Sequence, residues 1–275
     1  EFRRVLFRSE VKNVHVIFKQ IIRILFQSFT EEQGLRIIKG RKGAKVMRNE
    51  MMHRPVVKPE LVEYMRTKQK KLPGELGEVE AEANEAGVPI IPHETVVFLQ
   101  FLLGQLKPKN ILEIGAAIGF SSSLMAQFVG EDGHVTTIDR FDVMIKKAKK
   151  TYQRLDLEEK VTLLEGQAAE ILPMLEGPYD FIFMDSAKSK YIEFLPECLR
   201  LLPVGGVLMV DDVFQAGTIL DPAEEVPKKN RAIHRKLNQF LDVVMAHPDL
   251  TSTLVPLGDG VILITKEKET IILDS

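Results

Sequence analysis

Three carboxylates set the chemistry that this chain could perform. Asp185 ends an apolar run in Phe183-Met184-Asp185-Ser186-Ala187-Lys188, and Asp211 and Asp212 end another in Val210-Asp211-Asp212-Val213. Acids at the carboxyl ends of parallel strands gather at one edge of a sheet, where ligands bind and where like charges repel unless a counter-ion intervenes. A hard divalent cation with oxygen ligands meets that need, and a few carboxylates completed by water and substrate suit magnesium. Each acid could instead cap the helix or loop that follows it, which accounts for one acid better than for two in succession. The six histidines show no metal-ligand spacing, so no zinc or iron site is expected.

A second constellation lies earlier in the chain. Glu113-Ile114-Gly115-Ala116-Ala117-Ile118-Gly119-Phe120-Ser121 places two glycines four residues apart behind an acidic residue. Such glycines let the backbone turn tightly and leave room for a ligand. The dinucleotide fingerprint is absent, because Ala117 and Phe120 stand where its later glycines belong. An acid before the turn also suits a cationic ligand better than a diphosphate. Asp139 ends the next strand, where a carboxylate can accept hydrogen bonds from ribose hydroxyls or cap a helix. Gly166-Gln167-Ala168 offers a small-residue turn and an amide for an adenine edge. Together the three features point to a nucleoside ligand.

The elements that must hold these residues follow from the apolar pattern. Strands are expected at Asn110–Ile114, His134–Asp139, Val161–Glu165, Tyr179–Asp185 and Gly206–Val210. Helical stretches lie between them, around Ser121–Phe128, Met144–Leu155, Ala168–Leu175 and Tyr191–Leu201. Short continuous apolar runs alternating with helices predict a parallel sheet covered on both faces. Helices at Glu60–Lys70, Glu75–Ala86 and His93–Leu106 precede it as a cover. A helix at Asn230–Ala246 leads to Leu250–Leu257, the turn Gly258-Asp259-Gly260 and Val261–Lys266, an antiparallel hairpin that closes the sheet.

With 275 residues, 45% of them hydrophobic, the chain can build a large core. Cys198 is the one cysteine, which excludes a disulfide framework and makes a reducing, cytoplasmic setting the default expectation. Residues 1–50 carry 12 Lys/Arg against 5 Asp/Glu, so the remainder is acidic and unsuited to coating nucleic acid by bulk charge. Val14–Phe29 is apolar but interrupted by Lys19 and Arg23, too short and too charged to span a bilayer. Residues 1–50 are expected to be a non-native or disordered extension, with Met47, Met51 and Met52 as plausible starts. Residues 51–106 would form the cover helices and 107–275 the ligand-binding core.

The sequence resembles the catechol/caffeoyl-CoA O-methyltransferase group of class I methyltransferases over roughly residues 55–268. The resemblance lies in Glu113–Ser121, in Tyr179-Asp180-Phe181-Ile182-Phe183-Met184-Asp185-Ser186-Ala187-Lys188 and in Val207–Val213. Within that group it is most similar to bacterial tRNA 5-hydroxyuridine methyltransferases, through Val88-Pro89-Ile90, Asp185–Lys188, His247-Pro248-Asp249 and Val255–Gly260. The resemblance implies an α/β Rossmann-like sandwich around a mostly parallel seven-stranded sheet. It also implies a homodimer paired through Glu60–Leu106. S-adenosylmethionine is then expected at Ile91, Glu113, Gly115, Ala117, Ser121, Asp139, Gln167, Ala168 and Asp185. Asp185, Asp211 and Asp212 would hold magnesium, with manganese as an alternative, and Lys188 would help deprotonate the acceptor hydroxyl. Two departures stand out: Asp212 replaces the usual asparagine, and Gln167 the aspartate of the tRNA enzymes.

The acceptor expected on this likeness is 5-hydroxyuridine of tRNA. A basic cluster of Lys228, Lys229, Arg231, Arg235 and Lys236 would grip phosphates, although a solvated helix face is the commoner explanation for such a charge run. The alternatives are a small catechol or hydroxycinnamoyl molecule and a non-catalytic S-adenosylmethionine-binding protein. Phe214 and Tyr191 are the aromatic residues expected to line the pocket.

Overall fold

The computed structural model describes residues 57–273; the expectations for residues 1–50 lie outside them. Three helices come first, α1 (Pro59–Lys68), α2 (Gly74–Glu85) and α3 (His93–Leu106). Strands and helices then alternate: β1 (Asn110–Ile114), α4 (Phe120–Ala126), β2 (His134–Asp139), α5 (Asp142–Arg154), β3 (Val161–Glu165), α6 (Ala168–Ile171), β4 (Phe181–Met184), α7 (Tyr191–Leu201) and β5 (Val207–Val210). Helix α8 (Arg231–Ala246) and the strands β6 (Leu250–Val255) and β7 (Val261–Lys266) complete the described chain.

The strands form one seven-stranded sheet in the order β3-β2-β1-β4-β5-β7-β6. β1 pairs in parallel with β2 and β4, and β5 in parallel with β4. β7 runs antiparallel to both β5 and β6. The mixed sheet and closing hairpin agree with the sequence pattern. Some ends differ. β4 spans Phe181–Met184 rather than Tyr179–Asp185, and Ala168–Leu175 is one short helix followed by a 3-10 turn at Leu172–Met174, because Pro173 cannot continue the backbone ladder.

The strand period of two divides the core. Ile111, Phe181, Phe183, Val207 and Met209 face Leu76, Leu99, Leu103, Leu124 and Ala148 of α2–α5. Leu112, Ile114, Ile182, Met184 and Leu208 face the other way, onto Leu195 and Leu199 of α7 and Leu237, Phe240 and Val244 of α8. Lys266, only 1% exposed, ends β7 and donates to the carbonyls of Leu199 (3.2 Å) and Leu202 (2.9 Å). The ammonium there meets the negative end of α7 and satisfies otherwise unpaired carbonyls.

Candidate active site

The glycine turn is built around one buried acid. Glu113, fully buried at β1, accepts hydrogen bonds from the Ser121 hydroxyl (2.5 Å) and from Thr137 of the neighbouring strand. Parallel register sets Glu113 beside Thr137, so the acid ties β2 and the start of α4 to the turn. The Asp139 carboxylate accepts from the Ala117 N–H (2.9 Å) and the Phe141 N–H (2.8 Å), holding Ala117 at a φ of 45°. Behind the turn, Tyr152 of α5 hydrogen-bonds Ser122 (2.8 Å) and closes against Gly119.

Burial pushes the Glu113 carboxyl from its ordinary 4.5 up to about 7, against the hydrogen bonds from Ser121 and Thr137 that pull it down. A carboxyl raised in the folded state stabilises the fold below the ordinary carboxylate range and loses that contribution as pH rises through about 7. Wild type should therefore lose about 1–3 kcal/mol relative to Glu113→Gln between pH 5 and pH 8. Urea melts of both proteins at the two pH values test this; parallel losses would refute it.

The ends of β4 and β5 bring the acids to one edge. The Asp185 N–H bonds the Ile114 carbonyl (3.1 Å) and the Asp211 N–H the Met184 carbonyl (3.0 Å), so adjacent strands deliver both residues. Burial and then the Asp212 charge push Asp185 up to about 7. Asp211 rises well above the carboxylate range from burial and from the charges of Asp185 and Asp212. Three carboxyls thus crowd this edge, and burial with mutual repulsion favours the protonated forms of Asp185 and Asp211. Asp212 lies at a φ of 59°, a left-handed conformation that Asn and Asp tolerate best among non-glycine residues.

Lys188 answers part of that charge. Its ammonium is 2.9 Å from Asp212 and 3.4 Å from Asp259, and the lysine is 13% exposed. Burial works to lower its pKa, but the two carboxylates outweigh burial and raise it. Asp259 itself is pushed up to about 6 by burial, with Lys188 opposing.

Most of the expected site residues are therefore linked. Glu113 contacts Ser121, Ala117 contacts Asp139, Gly115 abuts the Asp185 carbonyl, and the Gly166 N–H reaches the Asp139 carbonyl (2.8 Å) beside Gln167 and Ala168. Ile91 is buried in the same apolar layer as Ile118. The Gln167 amide oxygen accepts from Arg140 (3.2 Å), a partner the sequence did not suggest. Among the described residues no three His, Cys, Asp or Glu side chains converge as a ready metal-ligand set. Asp211 turns one oxygen to the Asp212 N–H (2.7 Å), and Asp212 turns to Lys188.

One expectation is corrected. Tyr191 cannot wall a pocket, because it is fully buried, packs edge-on against Phe240 and donates to the Asp211 carbonyl (3.1 Å). Its apolar ring belongs to the helical spacing of α7, a core signal. Asp259, Thr137 and Tyr152 were missed. Thr137 had a signal, since strand alternation places it on the same face as Asp139.

The O-methyltransferase family model matches residues 65–267. "Probable caffeoyl-CoA O-methyltransferase 2" of Dictyostelium discoideum is 31% identical over 197 residues, covering 70% of this chain and 84% of that protein. A catechol O-methyltransferase of Niastella koreensis is 33% identical over 165 residues, covering 58% and 73%. A solved Staphylococcus aureus structure assigned as a caffeoyl-CoA O-methyltransferase superposes with a TM-score of 0.67 at 28% identity, over 75% of this chain and 97% of that one. A Bacillus cereus O-methyltransferase solved in complex with SAH shares the fold, with a TM-score of 0.67 at 23% identity. With the glycine turn, Asp139 and the matched span in agreement, this chain belongs to the O-methyltransferase family and is an S-adenosylmethionine-dependent enzyme.

Proposed function

We propose that the enzyme methylates a hydroxyl of a small catechol or hydroxycinnamoyl-type molecule, with magnesium at Asp185, Asp211 and Asp212 and manganese as an alternative. The observation that carries the reading is the crowding of three carboxyls at the ends of β4 and β5, delivered there by adjacent strands, next to a lysine and the glycine turn. Oxygen donors in excess of counter-charge fit a hard divalent cation. When bound, such an ion would offset their charge and stabilise the oxyanion of the acceptor.

The residues of the chain do the rest. The turn Gly115–Ser121, with Ile91, Asp139, Gln167 and Ala168, would hold S-adenosylmethionine beside the acidic edge. Lys188 Nζ, after its own proton has passed to solvent, takes the proton of the acceptor hydroxyl. When bound, S-adenosylmethionine would supply the methyl group to that oxygen and would leave as S-adenosylhomocysteine. Alignment supplies much of the rate, because the nucleophile must meet the methyl group in line.

Relatives with catechol and caffeoyl-CoA in their names support the small acceptor. The tRNA reading has weaker support. Arg231 donors are occupied by the carbonyls of Val226 and Glu224, and Lys236 is paired with Glu193, so fewer donors of the cluster are free to meet phosphates than the sequence suggests. A homodimer would pair through α1 and α3, where Leu61, Tyr64 and Phe101 are exposed. The deciding assay offers labelled S-adenosylmethionine and magnesium with a catechol and hydroxycinnamoyl panel, beside tRNA carrying 5-hydroxyuridine. Label in a catechol, lost with EDTA, is the expected result. Label in tRNA alone would overturn the acceptor class and keep the chemistry.

A further inference from the structure

The glycine turn winds three residues to positive φ within a short span: Gly115 at 112°, Ala117 at 45° and Gly119 at 79°. A backbone in that conformation persists only where its surroundings hold it. Asp139 supplies one tie, through the Ala117 N–H. Helix α5 supplies a second. Its Tyr152 is 3% exposed, and the ring fills the space beside Gly119. A Cβ built on Gly119 would lie 2.7 Å from the ring edge and 3.0 Å from the phenol oxygen. That oxygen is 2.8 Å from Ser122 Oγ, and Ser122 is fully buried. The Ser122 hydroxyl also hydrogen-bonds the Glu113 carboxylate, which accepts from Ser121 and Thr137 as well. With the Ser122 hydrogen committed to a carboxylate, the phenol must donate the outer bond. A line of hydroxyls thus runs from α5 through α4 to the acid of β1.

We infer that Tyr152 is a positioning residue for the cofactor, which props the glycine turn from α5 and keeps it in the conformation that S-adenosylmethionine meets. The inference rests on the reading of Gly115–Ser121 as the cofactor turn. A turn already in place needs no ordering when its ligand arrives, so the support contributes to cofactor affinity rather than to the transfer step. Removing the phenol oxygen leaves the buried Ser122 oxygen without its donor. Removing the whole ring also lets the backbone at Gly119 relax into the vacated space.

Tyr152→Phe, Tyr152→Leu, Ser122→Ala and the Phe/Ala double are compared with wild type by calorimetry with S-adenosylhomocysteine. The temperature is one at which circular dichroism shows each protein folded. Affinity should fall about fivefold in Tyr152→Phe and at least about 20-fold in Tyr152→Leu. The KM for S-adenosylmethionine should rise in step, with kcat at saturating cofactor within about twofold of wild type. In the Ser122→Ala background Tyr152→Phe should change affinity by less than about twofold, since both act through one bond. A role confined to the core would lower the melting temperature of Tyr152→Phe and leave its affinity and KM at wild-type values. That result would overturn the inference, as would equal losses in both backgrounds or a fall in kcat with KM unchanged. Gly115→Ala runs beside them to test the turn itself. If it binds S-adenosylhomocysteine as tightly as wild type, the cofactor reading of the turn fails. Loss of affinity in Gly115→Ala with none in Tyr152→Phe overturns the positioning role alone.

Discussion

Asp185→Ala should abolish methyl transfer and divalent-ion binding together, by about three orders of magnitude in turnover, or about 4 kcal/mol. Asp185 joins the two halves of the site. Its carbonyl abuts Gly115 in the cofactor turn, and its carboxylate is coupled by charge to Asp211 and Asp212. The same substitution should leave the chelated protein no less stable than wild type. It removes one of three crowded carboxyls, and relieving their mutual repulsion offsets the lost contacts. Catalytic need and fold stability therefore pull in opposite directions at this residue. Activity assays with and without EDTA, manganese titration and thermal melts of the chelated proteins test both halves. Turnover by wild type that survives a chelator would remove the metal from the scheme. Destabilisation of chelated Asp185→Ala by several kcal/mol would show that the carboxylate acts structurally.

Gly115→Ala is the second large effect. Gly115 has a φ of +112°, and a Cβ built there would lie 1.9 Å from the Asp185 carbonyl oxygen. Both the dihedral and the space exclude a side chain, and a backbone carbonyl cannot rotate away as a side chain can. The ends of β1 and β4 would have to part, breaking the bond from the Asp185 N–H to the Ile114 carbonyl and displacing the turn proposed to hold the cofactor. S-adenosylhomocysteine affinity should fall at least about 100-fold, near 3 kcal/mol. Gly130→Ala is the control, because its Cβ meets nothing within 4 Å. Calorimetry on both variants reads the difference; equal affinities would mean that the turn tolerates a side chain in solution.

Much of this molecule was legible before any coordinates. Continuous apolar runs such as Phe181–Met184 can only be strands covered on both faces, and acids that end such runs must gather where the sheet opens. The glycine turn with its preceding acid was legible for the same reason, since local spacing determines local backbone. What spacing does not encode is which distant side chains meet. Lys188 and Asp259 lie 71 residues apart and touch because β7 inserts between β5 and β6, bringing its turn beside β5. Tyr191 carried the helical spacing of a core residue, and the packing of α7 on α8 encloses it. Gln167 carried an amide for adenine, but only the fold set Arg140 against it. Strand patterning chose the elements and the acids, whereas long-range packing decided how each charge is answered, because the partner of a buried charge is set by the order of strands and not by the residues beside it.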